Sequence, residues 1–266
     1  MKTKLVEFKN RDGEILRGII TVPGEQIKGG AVFAHGFERN TTVEKKFKMM
    51  SGALAKRGVV SLRFDFAGCG LSDGDFSKMT VANRAQELLK AIEIFQKEFN
   101  FEKINFVAHS LGACVLAKAL GDIKTEINKI VLIAPALNQK ELLRFYFARD
   151  NNPNIKIFWQ NCKQYFNEEK FLKDCAQDGR MLKEHYVDSD YFIEAKDLDF
   201  SDNFKSIKDR VLHMHGDADD KVPLKSLNIE FENKIIVKNG DHDLERPYFW
   251  DQWFDKAVDF LTNGQI

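Results

Sequence analysis

Short apolar runs rich in β-branched and aromatic residues recur along the chain, at Ala31–Ala34, Val59–Phe64, Ile104–Ala108, Ile130–Ala134, Val211–His215 and Ile235–Val237. Runs without polar alternation suit strands buried on both faces of a parallel sheet. Between them the period changes from continuous to helical. Val81, Ala85, Leu88, Ile92, Phe95 and Phe99 follow one another at steps of three and four behind Thr80, a good N-cap. A second helix is expected from Ser110 through Leu120, ending at Gly121 as a C-terminal cap, and a last one carries Trp250, Trp253, Phe254, Ala257, Val258 and Leu261 on one face. Ahead of these, Lys4–Phe8 and Ile15–Val22 flank Asp12–Gly13, a hairpin turn signal. The order predicts an α/β fold: a mixed, mainly parallel sheet with helices on both faces.

One stretch breaks the alternation. From Leu137 to about Asp209 no strand is evident, while aromatic residues such as Phe145, Tyr146, Phe147, Phe158 and Trp159 are dense. So long a loop is improbable in a compact domain. The expected organisation is a core over 1–136 and 210–266 interrupted by a helical insertion over 137–209. Ligands bind at the carboxyl ends of strands in open α/β sheets, so an insertion there would form a lid, with aromatics such as Phe147 and Trp159 lining an apolar pocket.

Composition narrows the partners. The chain has 266 residues, 44% of them hydrophobic, and 40 Lys and Arg balance 40 Asp and Glu. Zero net charge gives no electrostatic reason to expect nucleic acid or an anionic membrane. Cys69, Cys114, Cys162 and Cys175 form no CxxC pair or zinc-ligand spacing and read as reduced thiols. The charged start of the chain lacks the apolar run of a signal peptide, and no stretch reaches the roughly 18 apolar residues of a membrane span. A cytoplasmic protein acting on a small molecule, as monomer or homodimer, is expected.

The chemistry concentrates after the strands. Phe106-Val-Ala-His-Ser-Leu-Gly112 runs from a strand through a serine flanked by small residues into a helix. Such a turn lifts the Ser110 hydroxyl above the sheet and aims the amide of Leu111 at a reacting carbonyl. Taken alone, the segment also reads as a serine N-cap on an ordinary helix. His35-Gly36-Phe37 after its strand offers the Phe37 amide as a second oxyanion donor, though His-Gly is also a common turn. The glycines at 68, 70 and 74 do not fit G-x-G-x-x-G and read as turn residues shaping the pocket floor. Past Val211–His215, Asp217, Asp219 and Asp220 compete as the acid of a triad. A metal site of His213, His215 and these aspartates has no further ligand cluster to support it. His242 lies in a loop before the last helix, completing the order Ser, Asp, His.

These segments resemble the α/β-hydrolase superfamily over nearly the whole chain, and within it the cinnamoyl (feruloyl) esterase-like and serine aminopeptidase S33-like group. His-Gly-Phe-Glu-Arg-Asn resembles that group's oxyanion loop, and Phe-Asp-Phe-Ala-Gly-Cys-Gly-Leu-Ser-Asp-Gly its post-strand loop. Tyr191-Phe-Ile-Glu-Ala-Lys-Asp-Leu198 resembles the end of its lid. The family pattern H-G-x-x-D-x-x-V-P falls on His215, Gly216, Asp219, Val222 and Pro223, which selects Asp219. The resemblance implies Ser110, Asp219 and His242 as catalytic residues and the amides of Phe37 and Leu111 as donors, with no metal or organic cofactor. Two positions depart from the pattern. Ala108 replaces a glycine, and Leu111 stands where cinnamoyl esterases often carry glutamine, which weakens a hydroxycinnamate assignment. The expected reaction is cleavage of carboxylic esters with short to medium or aromatic acyl groups. A thioesterase, monoacylglycerol lipase, amidase or peptidase, or C–C hydrolase would use the same residues. A dehalogenase or epoxide hydrolase would need Asp at 110, and ligand-binding proteins on this fold usually lose a triad member.

Overall fold

Chains of β-branched and aromatic residues with no polar face must be covered on both sides, and the sheet shows how. A computed structural model describes residues 1–177, 179–182 and 185–262. Eight strands form one sheet: β1 (Lys2–Lys9), β2 (Ile15–Val22), β3 (Gly29–Ala34), β4 (Val59–Phe64), β5 (Lys103–His109), β6 (Glu126–Ile133), β9 (Val211–Gly216) and β10 (Asn233–Val237). Their order is β1-β2-β4-β3-β5-β6-β9-β10, antiparallel through β1, β2 and β4 and parallel from there on. Alternate residues of one strand serve opposite cores. Val32 joins α2 (Val81–Phe99) and α3 (Leu111–Ala119), while Ala31 and Phe33 join α1 (Lys45–Lys56) and α7 (Pro247–Thr262).

The chain leaves β3 to one side for β4 and returns to its other side for β5. The carboxyl ends of β3 and β5, paired at Ala34 and Ala108, thus flank a topological switch point, the place where open α/β sheets hold ligands. Both the His35 loop and the Ser110 turn start there.

Thr80 caps α2 by accepting from the Asn83 amide, as its sequence position implies. Gly121 does not act as a C-cap. It lies inside a 3-10 turn, Leu120–Asp122, that continues α3 without a left-handed residue. The segment between β6 and β9 also differs from expectation. It contains α4 (Gln139–Asp150), α5 (Glu168–Cys175) and α6 (Ser189–Ala195), but also a hairpin of β7 (Gly179–Leu182) and β8 (His185–Asp188). These two strands are four residues long and only Val187 is buried, so they leave no apolar run in the sequence. Among the described residues no helix is long and apolar enough to cross a membrane.

Candidate active site

The turn after β5 is strained in a way that only a function or a tight fit would retain. Ser110 has φ +54° and ψ −121°, a region that L-residues rarely adopt. It is held there by its own backbone: the Ser110 amide donates to Ile133 on β6, and its carbonyl accepts from Ala113 and Ala136. Gly112 is required by space, since a Cβ would stand 2.4 Å from the Ala34 carbonyl oxygen. Close contact of α3 with β3 therefore fixes the direction of the turn. Leu111 opens α3, so its amide is among the helix-opening N–H groups that find no acceptor within the helix.

Over this turn the structure brings together the three distant residues singled out by sequence. The Ser110 hydroxyl lies 2.9 Å from His242 Nε2, and His242 Nδ1 lies 2.8 Å from Asp219 Oδ2. All three residues are buried. The other Asp219 oxygen accepts from the amides of Lys221 and Val222, each at 2.9 Å. Burial alone would push this carboxyl up, but hydrogen bonds from His215, His242 and the Val222 amide outweigh it and hold it well below the usual carboxylate range. Asp217 and Asp220 make no comparable contact with His242 and instead border an outer groove.

The sequence reading missed His215 as a partner of this carboxylate. His215 Nε2 lies 2.7 Å from the Val222 carbonyl and 3.3 Å from Asp219 Oδ2. Because the carbonyl can only accept, Nε2 carries the proton, and Nδ1 accepts from His213 Nε2 at 3.1 Å. The signal was present: residues two apart on a strand face the same way, and His215 begins the pattern that selected Asp219. These contacts occupy both ring nitrogens of His215 and Nε2 of His213. His109, His242 and Asp243 also place donor atoms within 4.8 Å of one another. That set fits a metal no better, since His242 is engaged by Ser110 and Asp219, His109 Nε2 by the His242 carbonyl, and both Asp243 oxygens by Arg39.

A cavity of about 160 Å³ opens beside Ser110, walled by Phe37, Leu111, Leu182, Tyr146, Tyr191 and Val222 among others. Its polar walls are largely paired: Tyr191 donates to Gln139, Gln139 to the Ala136 carbonyl, and Tyr146 to the Lys221 carbonyl. Arg149 borders both this chamber and a larger groove of about 660 Å³ lined by Phe145, Ile157, Phe158 and Trp159. Two expectations need correction. Phe147 does not line the chamber; it is buried against Phe166 and Phe171, whereas Trp159 does line the mainly apolar outer groove. Gly68, Gly70 and Gly74 do not form the chamber floor either. A Cβ on Gly70 would meet the Asp65 carboxylate at 2.1 Å, and that carboxylate gathers the amides of Thr41, Thr42 and Leu71. The glycine loop thus wraps the buried Asp65 outside the cavity.

The model for the family described as serine aminopeptidase, S33, matches residues 25–235. The chain belongs to this S33 family of α/β hydrolases. The matched stretch holds Ser110 and Asp219 and ends before His242, which only the fold brings to the other two. No curated protein matches this S33 chain. Among solved structures it is similar to ferulic acid-bound Est1E of Butyrivibrio proteoclasticus, at 20% identity and a TM-score of 0.68 over 97% of this chain and 96% of that one. An esterase of Pyrococcus furiosus shares 18% identity at a TM-score of 0.65, over 98% and 90% of the two chains. Mouse alpha/beta hydrolase domain-containing protein 10 shares 15% at 0.66, over 97% and 99%. At such identities the likeness establishes the fold.

Proposed function

We propose that this S33 family member is a serine hydrolase that cleaves carboxylic esters through an acyl-enzyme on Ser110. The observation that carries the reading is the unbroken chain of contacts from Ser110 through His242 to Asp219, at 2.9 and 2.8 Å. In this reading His242 Nε2 takes the hydroxyl proton as Ser110 Oγ attacks the ester carbonyl. Asp219 keeps Nδ1 protonated and balances the imidazolium charge. The tetrahedral oxyanion lies between the amides of Leu111 and Phe37, where loss of one donor of this kind costs roughly 3 kcal/mol of barrier. His242 returns the proton to the leaving alcohol, and water then repeats the sequence to release the acid. None of these steps calls on a cofactor or metal.

The insertion, 137–209, supplies nearly half of the chamber wall, with Tyr146, Leu182 and Tyr191 bordering the same cavity as Ser110. We assign it as the lid of a core formed by 1–136 and 210–266. The lining is mainly apolar, with Asp150 matched by Arg149 and Lys221, which favours an uncharged ester, and two of the similar structures are described as an esterase or as bound to ferulic acid. One observation favours a second reading, cleavage of an amide that bears a free amine: the Asp150 carboxylate lines the chamber. Comparing p-nitrophenyl butyrate with alanine p-nitroanilide separates the two. Faster ester turnover is expected, and anilide cleavage at or above the ester rate would reverse the assignment.

A further inference from the structure

A buried cation stands behind the loop after β3. Arg84 on α2 is 2% exposed. Its Nη1 donates to the Gly36 carbonyl at 3.3 Å, and its Nη2 donates to the Phe37 carbonyl at 2.9 Å and to Cys69 Sγ at 3.3 Å. The guanidinium carbon sits over the rings of Phe66 and Phe76, at 5.2 and 5.5 Å. Among the described residues no carboxylate forms an ion pair with it, and its Nε has no acceptor. Burying a charge on two main-chain carbonyls is expensive, so this placement calls for a purpose.

The peptide it grips supplies one. The Gly36–Phe37 bond is trans, so the Gly36 carbonyl and the Phe37 amide point in opposite directions. Two donors hold that carbonyl. His35 Nε2 accepts from the Phe66 amide at 3.0 Å, which leaves the His35 proton on Nδ1, 2.8 Å from the Gly36 oxygen. Arg84 is the other. The same peptide passes against the nucleophile: a Cβ on Gly36 would lie 3.1 Å from Ser110 Cβ.

We propose that Arg84 is the positioning residue of the oxyanion site: by holding the Gly36 and Phe37 carbonyls it turns the Phe37 amide toward the reacting oxygen. Its charge draws electron density onto the Gly36 oxygen and makes the attached N–H a stronger donor. Arg84 acts through Phe37 and touches no substrate. The proposal rests on the acyl-transfer reading above.

The test compares wild type with Arg84→Gln in turnover of p-nitrophenyl butyrate and in affinity for a trifluoromethyl ketone. Ser110 Oγ adds to that ketone's carbonyl carbon while its proton passes to His242, leaving an oxyanion in the same place as in the reaction. Arg84→Gln is expected to lower kcat by about 10- to 100-fold with KM nearly unchanged, and to weaken the ketone by a similar factor. Arg84→Lys, which keeps the charge but loses the fork, should fall between the two. Folded Arg84→Gln with kcat and ketone affinity within about twofold of wild type would overturn the proposal. So would a loss confined to KM. Should the single variant not fold, the same comparison is made in a Glu87→Gln background. Glu87 is the buried carboxyl one turn along α2 that feels the Arg84 charge, and neutralising both leaves no uncompensated ion. If neither folds, Arg84→Lys decides, wild-type values overturning the proposal. A wild-type protein that neither cleaves the ester nor captures the ketone would refute the acyl-transfer reading itself.

Discussion

His215 and Asp219 lie across β9 and its following loop so that the His215 Nε2 proton reaches, at 3.3 Å, the same carboxylate oxygen that His242 contacts at 2.8 Å. With two imidazoles and two amides around it, Asp219 is held in one orientation and stays ionised. Replacing His215 with Phe keeps the ring volume and removes the donor. Turnover of p-nitrophenyl butyrate is expected to drop about tenfold, well short of the loss on removing the nucleophile. Unchanged turnover would show that the two amides suffice. Asp219→Asn should cost far more than Asp217→Asn, since only Asp219 meets His242.

Acid should destabilise the fold through its buried histidines. His35, His109 and His213 are buried, and burial is the main cause that depresses each of them, with the Arg84 charge adding for His35, Lys46 for His109 and His215 for His213. His213 falls to about 3. In the unfolded chain each protonates near pH 6.5. Below that the unfolded state binds more protons than the folded one, so stability present above pH ~6.5 is lost as pH falls toward the depressed values. The loss reaches about 1.4 kcal/mol per pH unit for each histidine. Urea unfolding at about pH 7, 6 and 5 measures it. A flat profile would contradict it. Asp219, also depressed, adds its own loss only below about pH 4.

The backbone of Ser110 gives a prediction separate from chemistry. At φ +54° and ψ −121° a side chain is strained and glycine is not. Ser110→Ala and Ser110→Gly should both be inactive, with the glycine variant more stable by about 1 kcal/mol after its larger unfolded-state entropy is counted. Greater stability of the alanine variant would argue against strain at the turn.

Chamber size sets an expected substrate range. About 160 Å³ is below the roughly 300–1,000 Å³ of drug-sized sites. Among p-nitrophenyl esters, acetate and butyrate should exceed decanoate in kcat/KM by about tenfold or more. Leu182→Ala should move the preference toward longer acyl chains, whereas Phe147→Leu, altering a residue packed away from the chamber, should not. An unchanged ranking in Leu182→Ala would remove that residue from the acyl wall.

The core strands were legible because a sheet covered on both faces leaves uninterrupted runs such as Val59–Phe64, and α2 because its apolar spacing and Thr80 agree. The hairpin at Gly179–Leu182 and His185–Asp188 was not, since a short surface pair with one buried side chain writes no period into the sequence. Gly121 misled because glycine near a helix end is compatible with either a left-handed cap or one further 3-10 turn. At the site, Ser110, Asp219 and His242 follow strands in a recognisable order. Arg84 was missed because its contacts join segments far apart in sequence, whereas His215 lies only four residues before Asp219 and its role depends on which way its ring turns. The aromatics of the insertion could be counted from sequence, but which of them face Ser110 depends on how α4 packs on the core, and it turns Tyr146 toward the cavity and Phe147 away.

The central claim is that Ser110 is the nucleophile, and a fluorophosphonate tests it most directly, since its phosphorus bonds to an activated serine oxygen with release of fluoride. Intact mass should rise by one phosphonyl group per chain. Peptide mapping should place it on Ser110, with no addition to Ser110→Ala or to acid-unfolded protein. Labelling at another residue, or an unlabelled native chain, would contradict the account.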